Sequence, residues 1–134
     1  MRWLVKEEPE NYNFDQFLAD GSTVWSGVRN PVAQKNLRAM QKGDRVFFYH
    51  TGKEKAIVGT ARVAVPAYPD PNAQSGNLVV VELVPDAKLT RPVTLAEIKA
   101  SGRFADFALV RIPRLSVMPV TEAQWKAIEE LSRA

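Results

Sequence analysis

The sequence predicts an α+β domain built on a mixed, mainly antiparallel β-barrel-like sheet with short helices at its edges. Three observations lead there. Strand-forming segments follow one another through the middle of the chain, from Val46-Phe47-Phe48-Tyr49-His50 to Leu78–Val84. Capped helix starts fall before and after that block. No repeat, linker or low-complexity tract divides the chain, so its 134 residues read as one domain over 1–134, a size that buries about two-thirds of the unfolded surface.

Each element has a local cause. Trp3-Leu4-Val5 reads as a short strand stopped by Glu7-Glu8-Pro9. Asn13-Phe14-Asp15-Gln16 fits a capping box, with Tyr12 and Phe17 placed as its hydrophobic staple, and a helix over about 14–19 ends at Gly21. Thr23-Val24-Trp25 is extended. Asn30 is a good N-cap and Pro31 a good first helical residue. Ala33, Leu37 and Met40 then lie on one face of a helix over about 31–42, which Gly43 stops. Val46–His50 is rich in strand formers, Thr51–Lys55 is a polar turn, and Ala56–Val65 is the return strand. Gly59 within it marks a bulge or a close backbone approach. Tyr68-Pro69-Asp70-Pro71-Asn72 reads as an irregular loop, and Leu78–Val84 as a strand apolar enough to be buried on both faces. Thr94-Leu95-Ala96-Glu97 is a second capping box, opening a helix closed by Gly102. Phe107–Ile112 looks extended. Thr121-Glu122-Ala123-Gln124 starts the last helix, with Val120 stapled against Trp125.

Composition excludes several classes. Apolar residues make up 46% and charged residues 25%, the profile of a globular protein. No run of 18 apolar residues spans a membrane, and MRWLVKEEPE is no secretory signal. With no cysteine, disulfides and thiol chemistry are absent, and a cytoplasmic location follows as the default. The net charge of +3 is modest, but its distribution is uneven. Residues 25–45 carry Arg29, Lys35, Arg38, Lys42 and Arg45 against Asp44 alone, and residues 91–114 carry Arg91, Lys99, Arg103, Arg111 and Arg114 against Glu97 and Asp106. These blocks are either scattered surface charge or one positive face.

Catalytic and metal-binding patterns are missing. His50 is the one histidine, so no zinc site of the usual His/Cys kind is expected, and no cofactor is implied. No nucleophile elbow or phosphate-cradling loop occurs. A hydrolase would need His50, Ser116 and a carboxylate brought together by the fold. What remains suits a flat ligand. Trp25 offers a stacking face, Ser26-Gly27 can present backbone at close range, Arg29 can reach a phosphate or base edge, and Asn30-Pro31 begins a helix. The plain alternative makes Trp25 core, Arg29 an ion-pair partner and Asn30 only a cap. Tyr49-His50 ends a strand, where His50 is either a pocket residue or a satisfied buried histidine. Arg114–Pro119 lies after Pro113 and reads as an extended segment. In it Ser116 and Met118 either meet a ligand or belong to an edge strand.

WLVKEEP, VWSGVRNPVAQKNLRAMQKGD, VFFYHTG, the YPDP loop and RLSVMPV together resemble the EVE domain, a PUA-like family, in order along nearly the whole chain. The family's usual form carries serine where Glu7 or Glu8 stands here, and often serine where Thr51 stands. The resemblance implies a PUA-type β-barrel flanked by helices with one pocket at its side. It is similar in outline to the YTH domain, which encloses a methylated adenine of RNA in an aromatic cage, with Lys6 and Trp25-Ser26 at matching cage positions. The resemblance further implies a reader of modified bases in DNA, chiefly modified cytosine. Carried over position by position, the pocket comprises Lys6, Trp25, Ser26, Gly27, Arg29, Asn30, Tyr49, His50, Ser116 and Met118. The reading is then a non-catalytic, monomeric domain that takes a flipped base into an aromatic pocket while Lys35, Arg38, Arg111 and Arg114 hold the flanking phosphates. An RNA-binding PUA-like module and a sensor of a free modified nucleoside are the alternatives.

Overall fold

A computed structural model describes residues 1–73 and 76–134. The elements run β1 (Arg2–Glu7), α1 (Phe14–Asp20), β2 (Thr23–Trp25), α2 (Pro31–Ala39), β3 (Arg45–His50), β4 (Ala56–Pro69), β5 (Val79–Thr94), α3 (Leu95–Ser101), α4 (Ala108–Arg111), β6 (Val117–Val120) and α5 (Glu122–Arg133). The six strands form one mixed sheet in the order β2-β5-β4-β3-β1-β6. Among the described residues only β1 and β3 pair in parallel; every other pairing is antiparallel. The mixed, mainly antiparallel arrangement matches the expectation, but the sheet is not closed. Its ends are β2, with 3 residues, and β6, with 4, and these do not pair. Curvature comes instead from β4 and β5, whose register shifts four times along the ladder, since each bulge bends and twists the strand that carries it.

Side-chain alternation sets two layers on the sheet. Phe48 meets Phe14, Phe17, Trp25 and His50. Its neighbour Phe47 faces the other way and stacks on Trp125 of α5, with centroids 3.6 Å apart and planes 13° from parallel. Gly59 satisfies both sequence readings. The β4–β5 register shifts beside it, and a Cβ there would come within 2.4 Å of the Phe14 ring. The α1 cap forms through Asn13, which accepts from the Gln16 N–H, and Tyr12 and Phe17 lie 6.1 Å apart as the staple requires.

Four boundaries differ from the sequence reading. Helix α2 stops at Ala39, because Met40 turns to extended backbone with its side chain buried. Strand β4 runs on to Pro69 and takes in Tyr68, and β5 continues through Pro85 and Pro92 to Thr94. Residues 107–112 are not extended: Ala108–Arg111 is a short helix, closed by the Ile112 N–H on the Ala108 carbonyl. The β-branched and apolar residues there suggested a strand, but burial of Phe104, Phe107 and Leu109 favours a compact turn over propensity. No helix among the described residues is long and apolar enough to cross a membrane.

Candidate nucleic-acid interface

The stretch after β2 is built outward from a buried anchor. Trp25 pairs with Val81 of β5 and lies edge-on to Phe48 at 5.5 Å. It is only 5% exposed, which corrects the expectation of an open stacking platform: the indole is part of the core. Ser26, Gly27, Arg29 and Asn30 follow on the surface. Gly27 takes φ 78°, a left-handed conformation that a side chain would strain. Asn30 caps α2, its Oδ1 accepting from the Val32 N–H at 2.9 Å and the Ala33 N–H at 3.0 Å. The amide of Gln34, a residue the sequence reading did not single out, bonds the backbone at Val28 and Val79.

A second group forms where β1, β3 and the segment before β6 end together. Lys6 and Tyr49 are direct partners in the parallel ladder. The Lys6 ammonium sits 5.6 Å above the Tyr49 ring and donates to the Pro113 carbonyl at 2.8 Å, while the Lys6 N–H donates to the Ser116 carbonyl at 2.9 Å. Burial lowers the Lys6 pKa and pushes the Tyr49 hydroxyl up to about 12, because low-dielectric surroundings disfavour each charged form. Arg111 and Arg114 lie exposed on the adjoining segment. Helix α2 borders it, for Asn36 donates to the Val117 carbonyl at 2.7 Å. Val32 and Asn36 also share a groove of about 660 Å³ with Arg111, Ile112 and Leu115.

Tyr49 itself is only 3% exposed and packs in the core, so it offers no open face to a base. Two further predicted site residues stand apart from these groups. Met118 is fully buried in β6 opposite Leu4 and belongs to the core. His50 is 7% exposed, with Nε2 accepting from the Phe14 N–H at 3.1 Å and Nδ1 lying 2.8 Å from Glu54. A neutral ring protonated at Nδ1 satisfies both, so His50 is the satisfied buried histidine of the two readings. It also cannot serve Ser116 as a base. Strand β1 lies between them, which places them about 10 Å apart at ordinary strand spacing, and both ring nitrogens are taken.

The cations divide into two sets. Arg45, Arg62, Lys88, Arg91, Arg103 and Lys126 each lie within 4.0 Å of a carboxylate. Among the described residues, Lys6, Arg29, Lys35, Arg38, Lys42, Arg111 and Arg114 have no such partner; Arg38 instead donates to the Asn77 carbonyl. Arg2, Lys53, Lys55, Lys99 and Arg133 are also without one; Arg2 lies over the Trp125 ring, and the three lysines line a separate groove of about 410 Å³ beside α3. Repulsion among unpaired cations is relieved by a polyanion.

The EVE domain family matches residues 1–131. Thymocyte nuclear protein 1 of Homo sapiens is 30% identical, over 96% of this chain and 72% of that protein. A Rhodopseudomonas palustris protein solved by NMR is 46% identical with a TM-score of 0.93, over 98% of this chain and 92% of the other. A crystal structure of human THYN1 in complex with 5-methylcytosine containing DNA is similar at 28% identity and a TM-score of 0.87, covering 99% of this chain and 98% of that one.

Proposed function

The chain belongs to the EVE domain family, and on that premise we propose that it is a non-catalytic DNA-binding module that reads modified cytosine. The observation that carries the reading is its likeness, over nearly its whole length, to a relative bound to DNA containing 5-methylcytosine. The charge pattern supports it. Unpaired cations flank the exposed Ser26–Asn30 loop on α2 and on the 111–114 segment, the places a flanking backbone would be held.

In this reading Lys35, Arg38, Arg111 and Arg114 hold phosphates and carry no sequence information. Ser26, the Gly27 backbone, Arg29 and Asn30 face the base edge, with Lys6 and Ser116 on the neighbouring wall and the buried Tyr49 ring behind Lys6. Turning a base out of its stack costs a few kcal/mol. A methyl group buried on binding returns about 0.8 kcal/mol, so small substituents tip a near-balanced equilibrium. Stacking on Trp25 would add about 1–3 kcal/mol, but only if its exposure rises on binding.

The test is fluorescence anisotropy with matched duplexes carrying cytosine, 5-methylcytosine or 5-hydroxymethylcytosine at one central position, and an RNA of the same sequence. Tighter binding of a modified duplex is expected. Equal affinity for all three duplexes defeats the reader assignment, and stronger binding of RNA redirects it to the RNA alternative. Because Trp25 is buried, Trp25→Phe is the informative variant; truncation to alanine would empty the core beneath the loop.

A further inference from the structure

Gln34 is 3% exposed and carries its own hydrogen-bond network. Its Nε2 donates to the Val28 carbonyl at 2.7 Å and the Val79 carbonyl at 3.1 Å, and its Oε1 accepts from the Val79 N–H at 2.9 Å. The two-way exchange with Val79 repeats what a neighbouring strand residue makes in a ladder, so the side chain extends β5 by one rung. The remaining bond runs into the loop between Trp25 and α2. Donor and acceptor cannot be interchanged, because two carbonyls require the NH₂ end and one N–H requires the oxygen. Among the described residues, no other side chain bonds the backbone of residues 26–29. One turn along α2, Arg38 bonds the Asn77 carbonyl, next to the same strand start.

We propose that Gln34 is the positioning residue for base recognition. Its amide locks the Ser26–Asn30 loop against the start of β5, so the groups that discriminate a modified cytosine are held in place before DNA arrives. This rests on the DNA-reading function proposed above. Preorganisation of this kind acts on discrimination, since a loop ordered only upon binding has to meet that cost with every base alike. Phosphate contacts from Lys35 and the 111–114 segment do not depend on it.

Two variants test this. Gln34→Leu fills similar volume and removes all three bonds; Gln34→Glu keeps the acceptor for Val79 and sets a carboxylate against two carbonyls. Backbone ¹⁵N relaxation on the free protein reads positioning without DNA. The order parameters of residues 26–29 should fall from the rigid value of about 0.85 towards about 0.6, with β1 and β3 unchanged. With duplexes, the preference for modified over plain cytosine should fall towards one, while the salt dependence stays as in wild type. Unchanged order parameters at 26–29 in a folded variant overturn the proposal. So does loss of affinity for modified and plain duplexes in equal proportion, which is what a merely structural residue gives. If wild type itself shows no preference, the function reading fails on its own, and relaxation alone decides the positioning role. Should Gln34→Leu not fold, Gln34→Glu carries both measurements.

Discussion

Alanine at Lys35, Arg38, Arg111 and Arg114, singly and together, gives the sharpest test of where DNA lies. None of the four has a carboxylate within 4.0 Å among the described residues, so each is free to replace a counterion on DNA. For duplex DNA, each neutralised phosphate contributes about −0.9 to the slope of log affinity against log salt. Four contacts give a slope of about −3.6, and a rise from about 50 to 200 mM salt then weakens binding roughly 150-fold. Each single substitution should flatten the slope by about 0.9, which narrows that loss by about 3.5-fold. Anisotropy titrations at several salt concentrations measure this directly. Two controls bracket it. Arg62 and Arg103 are held by Asp86 and Glu130, and their removal should leave the slope nearly unchanged. Lys53, Lys55 and Lys99 line the separate groove, and their triple variant should do the same. A quadruple variant with the wild-type slope, or an equal flattening from the triple lysine variant, would refute the placement.

Three further outcomes follow from the packing and the ionisable groups. Gly59→Ala puts a Cβ 2.4 Å from a Phe14 ring that Phe17 and Phe48 already hold at 5.7 and 5.3 Å; a loss of about 3 kcal/mol is expected in urea unfolding, and a loss near zero would show that the ring swings aside. His50→Ala leaves the Phe14 N–H without its acceptor and should cost about 2 kcal/mol of stability while sparing DNA affinity; affinity lost at unchanged stability would return His50 to the site. The hydrogen bond from Arg91, helped by the Thr94 N–H, holds the Glu97 carboxyl at about 2 instead of 4.5. A lowered folded pKa means that the contribution to stability is complete above the unfolded value and is lost as pH falls towards about 2. Arg91→Ala should therefore raise the Glu97 midpoint in an NMR titration, and an unmoved midpoint would assign the shift to Thr94.

The elements with local causes were readable from sequence. Asn13, Asn30, Thr94 and Thr121 all cap helices in the structure, because a cap needs only its own side chain and the next turn of backbone. Gly59 was readable because a glycine inside a strand is itself the signal, although the Phe14 ring that needs the space lies far away in the chain. The misread parts depend on distant partners. Residues 85–94 form the second half of β5 only because β4 supplies a ladder with several bulges to accommodate them. Trp25 shows the limit most plainly. Period-two alternation puts Trp25 on the same face as Thr23 and opposite exposed Val24. Whether that face opens to a ligand or closes on Phe48 is decided by the strands across the sheet, which the local motif does not encode. Gln34 was missed because its significance lies in two backbone partners, one of them 45 positions away.

Charge shows how far a count along the chain differs from a charge in space. The 91–114 block is basic in sequence, yet two of its arginines are spent: Arg91 on Glu97 at 2.6 Å and Arg103 on Glu130 at 3.2 Å. In the 25–45 block, Arg45 lies 4.0 Å from Glu129 and 4.8 Å from the centre of the Trp125 ring. Helix α5 thus supplies acids to arginines from two separate parts of the chain, Glu129 to Arg45 and Glu130 to Arg103, apart from the Glu122–Lys126 pair within itself. Both acids come from its last turns, and neither reaches α2 or the 111–114 segment. The positive surface that remains is defined by which cations α5 and its neighbours leave without partners. A modest net charge of +3 is therefore compatible with a locally strong field, and the number of unpaired cations on one face, not the net charge, should set the salt slope.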